Sequence, residues 1–124
     1  MANYKTRQLI FAVSLALPVH TVYAQDWTAE DKRLLTAGLV LHICDWAQTR
    51  QIARDQTRYY ESNVLLGESP SSTRVNNYFV GSALLTAAAA HLLPQYRRAI
   101  LTGVLVIEAS VVAQNQSIGV SIKF

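Results

Sequence analysis

Val75-Asn76-Asn77-Tyr78-Phe79-Val80-Gly81-Ser82-Ala83-Leu84-Leu85-Thr86-Ala87-Ala88-Ala89-Ala90-His91-Leu92-Leu93-Pro94 contains no Lys, Arg, Asp or Glu. Its alanine-rich centre favours helix. A soluble helix keeps one polar face, so a helix with no charged stripe is either fully buried or turned to lipid. Full burial is geometrically hard in a small three-helix domain. Pro94 ends the helix, because the residue before a proline is pushed out of helical geometry, and the same proline opens the next one.

Working outward, Ser69-Pro70 reads as an N-cap followed by proline at the first helical position, which starts this second helix at Pro70 and runs it to Leu93. A third helix covers residues 95–115. The short connection at Pro94 folds helices two and three into an antiparallel hairpin. Upstream, Thr28 before Ala29-Glu30-Asp31 is a capping-box-like start with acids in the first turn. The apolar run 34–46 and the helix-forming residues after it carry the first helix to about Tyr60. Ile118, Val120, Ile122 and Phe124 alternate with Gly119, Ser121 and Lys123, a period-2 pattern that predicts a short strand in an extended tail. The expected fold is all-α: a three-helix bundle after an N-terminal leader.

Residues 1–25 have the form of a secretory leader. Lys5 and Arg7 supply a basic start, residues 9–17 an apolar core, and Val22-Tyr23-Ala24 the small-residue spacing that signal peptidase accepts, which predicts a signal peptide over 1–24 cleaved after Ala24. The apolar stretch, interrupted by Pro18 and His20, falls short of the about 20 residues of a spanning helix. The remainder, 25–124, is long enough for one domain and too short for two.

The hydrophobic fraction of 51% against only 15% charged residues leans toward the membrane. Export of the leader would run the first helix from outside to inside. Arg50, Arg54, Arg58 and Arg74 then fall on the cytoplasmic side with Lys123, and Lys32, Arg33, Arg97 and Arg98 outside, a slight positive-inside excess. The expected partners are the lipid bilayer and further copies of the chain, and the expected location is the bacterial inner membrane, with the periplasm as the alternative. Dispersed arginines without interleaved aromatics argue against nucleic acid. Cys44 is the single cysteine, which excludes an internal disulfide and a cysteine-based zinc site.

Ionisable residues inside apolar segments are costly unless they find partners, so they should point into the bundle. On the first helix Gly38, His42, Asp45 and Thr49 share a face, with Gln48 beside them; on the second, Asn77, Gly81, Leu84, Ala88 and His91; on the third, Val104, Glu108, Val111 and Asn115. His42, Asp45, Gln48, Thr49, His91, Glu108 and Asn115 are therefore the candidate buried polar cluster. Its two readings are hydrogen bonding that fixes the packing and a proton relay or metal site, the first favoured because no close ligand motif is present. No cofactor and no catalytic residue is read from the sequence: Ser69, Ser71 and Ser72 suit capping and turns, and no glycine-rich phosphate loop exists. Ser82, Thr86 and Ala90, with Ala83 and Ala87, form small-residue rows that allow close helix approach, within the protein or between copies.

Asp45-Trp46-Ala47-Gln48-Thr49, followed by Glu61-Ser62-Asn63-Val64-Leu65-Leu66-Gly67, resembles a group of small bacterial and phage proteins that share a D-W-x-Q-T segment and an E-x-N-P-L-L-G loop. The likeness continues through Pro70-Ser71, Arg74-Val75-Asn76 and Tyr78-Phe79 to His91, Glu108, Asn115 and Gly119, and Val64 stands where the group has proline. The resemblance implies a small, membrane-associated helical protein of phage or prophage origin, and marks Glu61, Asn63, Arg74 and Asn76 as a candidate loop motif. It implies no activity. The functional expectation is action through helix–helix association rather than catalysis, with a holin-like membrane permeabiliser and a soluble periplasmic bundle bearing a polar site as the alternatives.

Overall fold

The computed structural model describes residues 26–122. The expected leader and cleavage site, and Lys123 and Phe124, lie outside the described residues. Three helices follow one another: α1 (Ala29–Arg54), α2 (Ser72–Leu92) and α3 (Arg97–Ser117), with a 3-10 turn at Pro94–Tyr96 before α3.

The start of α1 is written into its first residues. The Thr28 hydroxyl accepts from the Asp31 N–H at 3.1 Å while the Asp31 carboxylate accepts from the Thr28 N–H at 3.0 Å, a reciprocal capping box. Its end comes at Arg54, short of the expected Tyr60. Asp55 takes up a non-helical cap conformation, and its carbonyl accepts from the N–H groups of Arg58 and Tyr59, so the chain turns there. The cap of α2 is Ser71, not Ser69. Its hydroxyl accepts from the Arg74 N–H at 3.2 Å, and Pro70 is buried in the loop instead of opening the helix. The strand expected in the tail is also corrected: among the described residues there is no strand, and a lone segment without a neighbouring strand has nothing to pair with. The alternating residues serve another purpose. Gly119 adopts φ +84, its N–H donates to the Gln116 carbonyl and the Val120 N–H to the Asn115 carbonyl at 3.0 Å, closing α3 in a Schellman motif with Val120 buried against the bundle.

Contacts along the helices define the packing. His42 and Trp46 of α1 meet Phe79 and Asn76 of α2, so these two elements run in opposite senses. Asp31, His42 and Gln48 meet Arg97, Glu108 and Asn115, so α1 and α3 ascend together. At the first end of α1 the Arg97 guanidinium is buried, stacks 4.6 Å from the Trp27 ring, lies 3.6 Å from Asp31, and donates to the carbonyl of Ala90 at 2.9 Å. At the other end Leu66, from the loop, inserts into an apolar cluster with Val75 and Phe79, against which Trp46 and Tyr78 pack.

The distribution of polarity is unusual. The interior holds His42, Asp45, Gln48, Thr49, Glu61 and Asn115, whereas Val40, Ile43, Val80, Leu84, Leu85, Val106 and Ile107 are exposed. No helix among the described residues is long and apolar enough to cross a membrane.

Candidate functional site

The polar interior is built on the face of α1 that repeats every third or fourth residue: Gly38, His42, Asp45 and Thr49, with Gln48 fully buried next to them. Gly38 faces α3, where the Val104 side chain would lie 4.0 Å from an added Cβ, an ordinary contact. The polar groups above the glycine meet partners from both neighbouring helices.

His42 links all three helices. Its Nδ1 lies 2.7 Å from Glu108 Oε1 on α3, and its Nε2 lies 2.9 Å from the Phe79 carbonyl on α2. A carbonyl only accepts, so Nε2 carries a hydrogen and donates it. The proton between Nδ1 and Oε1 is then shared by the pair: imidazolium with carboxylate, or imidazole with carboxylic acid. The pair is neutral overall in either form. Ser82 closes the arrangement, donating from its hydroxyl to the Phe79 carbonyl at 3.2 Å and lying 3.3 Å from Nε2.

One turn further along, Asp45 Oδ1 accepts from the Thr49 hydroxyl and from Asn115 Nδ2, both at 3.3 Å. Asn115 Nδ2 also donates to Gln48 Oε1 at 3.2 Å, and Gln48 Nε2 to the Val112 carbonyl at 3.3 Å. The carboxyl groups of Glu108 and Glu61 are close enough to act electrostatically on Asp45. Glu61 is buried; its Oε1 accepts from the Asn63 N–H at 2.8 Å, while its Oε2 and Glu108 Oε2 are buried with no hydrogen-bond partner among the described residues. Three carboxyl groups thus enter an interior where His42 is the facing base.

His91, expected in this cluster, is excluded from it. It is exposed near the end of α2, together with Asn77, Gly81, Leu84 and Ala88, so the predicted inward face of α2 is its outward face. A helix with no charges offers no polar stripe to orient it, and the residues that pack inward, Val75, Phe79, Ser82 and Ala90, are small or aromatic ones spaced just as regularly. In the loop motif, Asn63 Oδ1 accepts from the Leu65 N–H, Arg74 donates to the Leu65 carbonyl, and Asn76 accepts from Trp46 Nε1 at 2.9 Å. Of these four residues only Glu61 reaches into the polar interior. The Arg97–Trp27–Asp31 clamp was not read from the sequence. Trp27 and Asp31 are four residues apart, but Arg97 lies on a distant segment and no spacing marks it as their neighbour.

A cavity of about 150 Å³ opens between the helices beside His42, Ser82 and Glu108, walled mainly by Leu34, Leu101 and Val104. Among the described residues no group of three or more His, Cys, Asp or Glu side chains is arranged to hold a metal ion. No protein-family model, curated protein or solved structure matches the chain.

Proposed function

We propose that this protein is a helical bundle embedded in the bacterial inner membrane, delivered there by its leader, with α2 and α3 packed as an antiparallel hairpin, and that it acts by helix–helix association in the lipid phase. The observation that carries this reading is the inverted polarity, with carboxyl, imidazole and amide groups inside and branched aliphatic side chains outside. Water favours the opposite arrangement, because each exposed aliphatic group loses its burial energy and each buried carboxyl loses its hydration. A hydrocarbon solvent favours this one.

The dimensions agree. Sixteen residues separate Arg33 from Arg50 on α1 and nineteen separate Arg74 from Pro94, about 24 and 28 Å of helix beside a hydrocarbon core of about 30 Å. Aromatic and basic side chains gather at both limits of this band: Trp27 and Tyr96 with Lys32, Arg33 and Arg98 at one, Tyr59 and Tyr60 with Arg54, Arg58 and Arg74 at the other. In α1 and α3 inward-facing His42, Asp45, Gln48, Thr49 and Glu108 lower the mean apolarity, whereas in α2 exposed Asn77 and His91 lower it.

Association has a candidate surface. Ala99, Gly103, Ser110 and Ala113, with Val106 among them, are all exposed and lie on one side of α3, a mostly small-residue row that admits a second helix closely. Of the small residues of α2, Ala90 is buried, Ser82, Ala83 and Thr86 are half-buried, and Ala87 is exposed. A lesion-forming permeabiliser would turn polar faces toward other copies; here the polar groups engage one another inside a single copy, which favours simple association. The resemblance to small bacterial and phage proteins supports a phage setting. Alkaline carbonate extraction tests the reading: the protein should stay with the membrane pellet, and its release into the supernatant would overturn the proposal. Gly103→Leu should then convert any larger species on blue-native electrophoresis to monomer.

A further inference from the structure

The loop between α1 and α2 displays two aliphatic side chains at a turn that is otherwise fully tied down. Val64 is 93% exposed and Leu65 70%, with Tyr60 at 75% nearby in the chain. The next residue, Leu66, is 1% exposed and anchors the loop in the Val75–Phe79 cluster.

Hydrogen bonds fix which residues point out. The Asn63 side chain accepts from the Leu65 N–H at 3.0 Å, and its carbonyl accepts from the N–H groups of Leu66 and Gly67 at 2.9 and 3.0 Å. Buried Glu61 holds the Asn63 N–H, and the Glu61 N–H donates across the loop to the Glu68 carbonyl at 3.0 Å. Gly67 has φ +78, a conformation that returns the chain toward α2. Arg74 reaches back from α2 and donates to the Leu65 carbonyl at 3.0 Å, which sets a guanidinium at the base of the tip. A loose loop could turn these side chains inward; this one is held with them outward.

We infer that this tip is an interfacial anchor: Val64 and Leu65 enter the acyl boundary of an anionic bilayer, with Tyr60 at the headgroup level and arginines on the phosphates. The inference rests on the membrane-embedded reading. Charge complementarity identifies the occupant. Arg54, Arg58 and Arg74 are exposed on the segments flanking the tip; of the three acids in the same stretch Glu61 is withdrawn into the interior and Asp55 is half-buried, which leaves Glu68 as the one exposed acid against three arginines, a net basic surround to an apolar point. Guanidinium groups pair with lipid phosphates bidentately, and aliphatic side chains at that depth leave water. This end is also the cytoplasmic one in the topology that the charges favour, where anionic lipids supply the matching potential.

The test uses the full chain with Cys44→Ser, a Val64→Cys label bearing the environment-sensitive fluorophore NBD, and reconstitution into phosphatidylcholine vesicles with and without phosphatidylglycerol. A Ser62→Cys label on the same loop is the control. The expected result is blue-shifted emission at position 64, quenched by lipids carrying a doxyl group at a shallow acyl position, stronger with phosphatidylglycerol and weakened by Arg58→Gln, while position 62 reports water. Vesicle-bound protein whose position-64 label reports water in both lipids would overturn the anchor while leaving the membrane reading intact; such a tip would serve a protein partner. Failure of the protein to float with either vesicle would overturn both.

Discussion

The imidazole of His42 and the carboxyl of Glu108 meet at 2.7 Å from positions 66 residues apart, and the second ring nitrogen of the same histidine holds the backbone of α2. One side chain therefore registers all three helices. Truncating either partner leaves the other buried and unpaired. Glu108→Leu or His42→Leu alone should cost about 3 kcal/mol, and the double substitution should cost less than the sum of the two by about 1–2 kcal/mol. Thermal unfolding in detergent of the four proteins of the cycle measures this coupling, and strict additivity would refute it.

Asp45 tests whether the interior needs its charge. Asp45→Asn keeps an oxygen to accept from Thr49 and Asn115 and removes one of three neighbouring carboxylates, so it should leave stability unchanged or raise it by up to about 1 kcal/mol. Asp45→Leu removes the acceptor as well and should lower accumulation of folded protein. Immunoblots of membrane fractions with melting curves compare the two; loss of folded protein in the asparagine variant would show that the carboxylate itself is required.

Gly119→Ala separates backbone conformation from packing. Nothing lies within 4 Å of the position an alanine Cβ would occupy, so the cost comes only from φ +84 and should be about 1 kcal/mol. The same substitution at Gly103, which has equal space and an ordinary helical backbone, should not destabilise the monomer. Melting temperatures of the two variants check the contrast.

Asp31 gives the bundle a pH dependence at its clamped end. The Thr28 backbone N–H, with the Thr28 hydroxyl and Arg97, holds its carboxyl below the ordinary 3.8 against the opposing effect of burial. A group whose value is lowered by folding stabilises the fold above its unfolded value and loses that contribution as pH falls through the folded one. Stability should therefore drop below about pH 4, and Asp31→Asn should flatten this part of the curve while lowering stability at neutral pH. Equal acid sensitivity in wild type and variant would refute the assignment.

The helices were legible because their signals are local. Thr28-Ala29-Glu30-Asp31 contains its own cap, and the charge-free run ending at Pro94 marks one helix and its stop. The tail misled for the same reason: Ile118, Val120 and Ile122 alternate, but a strand needs a partner that a local pattern cannot supply, and Gly119 instead caps α3. The inward face of α1 was readable since His42, Asp45 and Thr49 are conspicuous among apolar neighbours. On α2 the rotation was not. Asn77 and His91 suggested one face, whereas packing of Phe79 and Val75 around Leu66 selects another, and that contact depends on how the loop folds back. The depth of Glu61 and the Arg97–Trp27 stack are likewise properties of the assembled bundle.

The inverted polarity is tested most directly by spin labels placed singly, in a Cys44→Ser background, at Leu84 and Ile107 in the aliphatic band and at Arg58 and Arg98 near its limits, in protein reconstituted into lipid vesicles. The account predicts that labels at 84 and 107 collide with molecular oxygen far more than with a water-soluble nickel chelate, and that labels at 58 and 98 show the reverse. Ready access of the nickel chelate to positions 84 and 107 in vesicle-bound protein would contradict it.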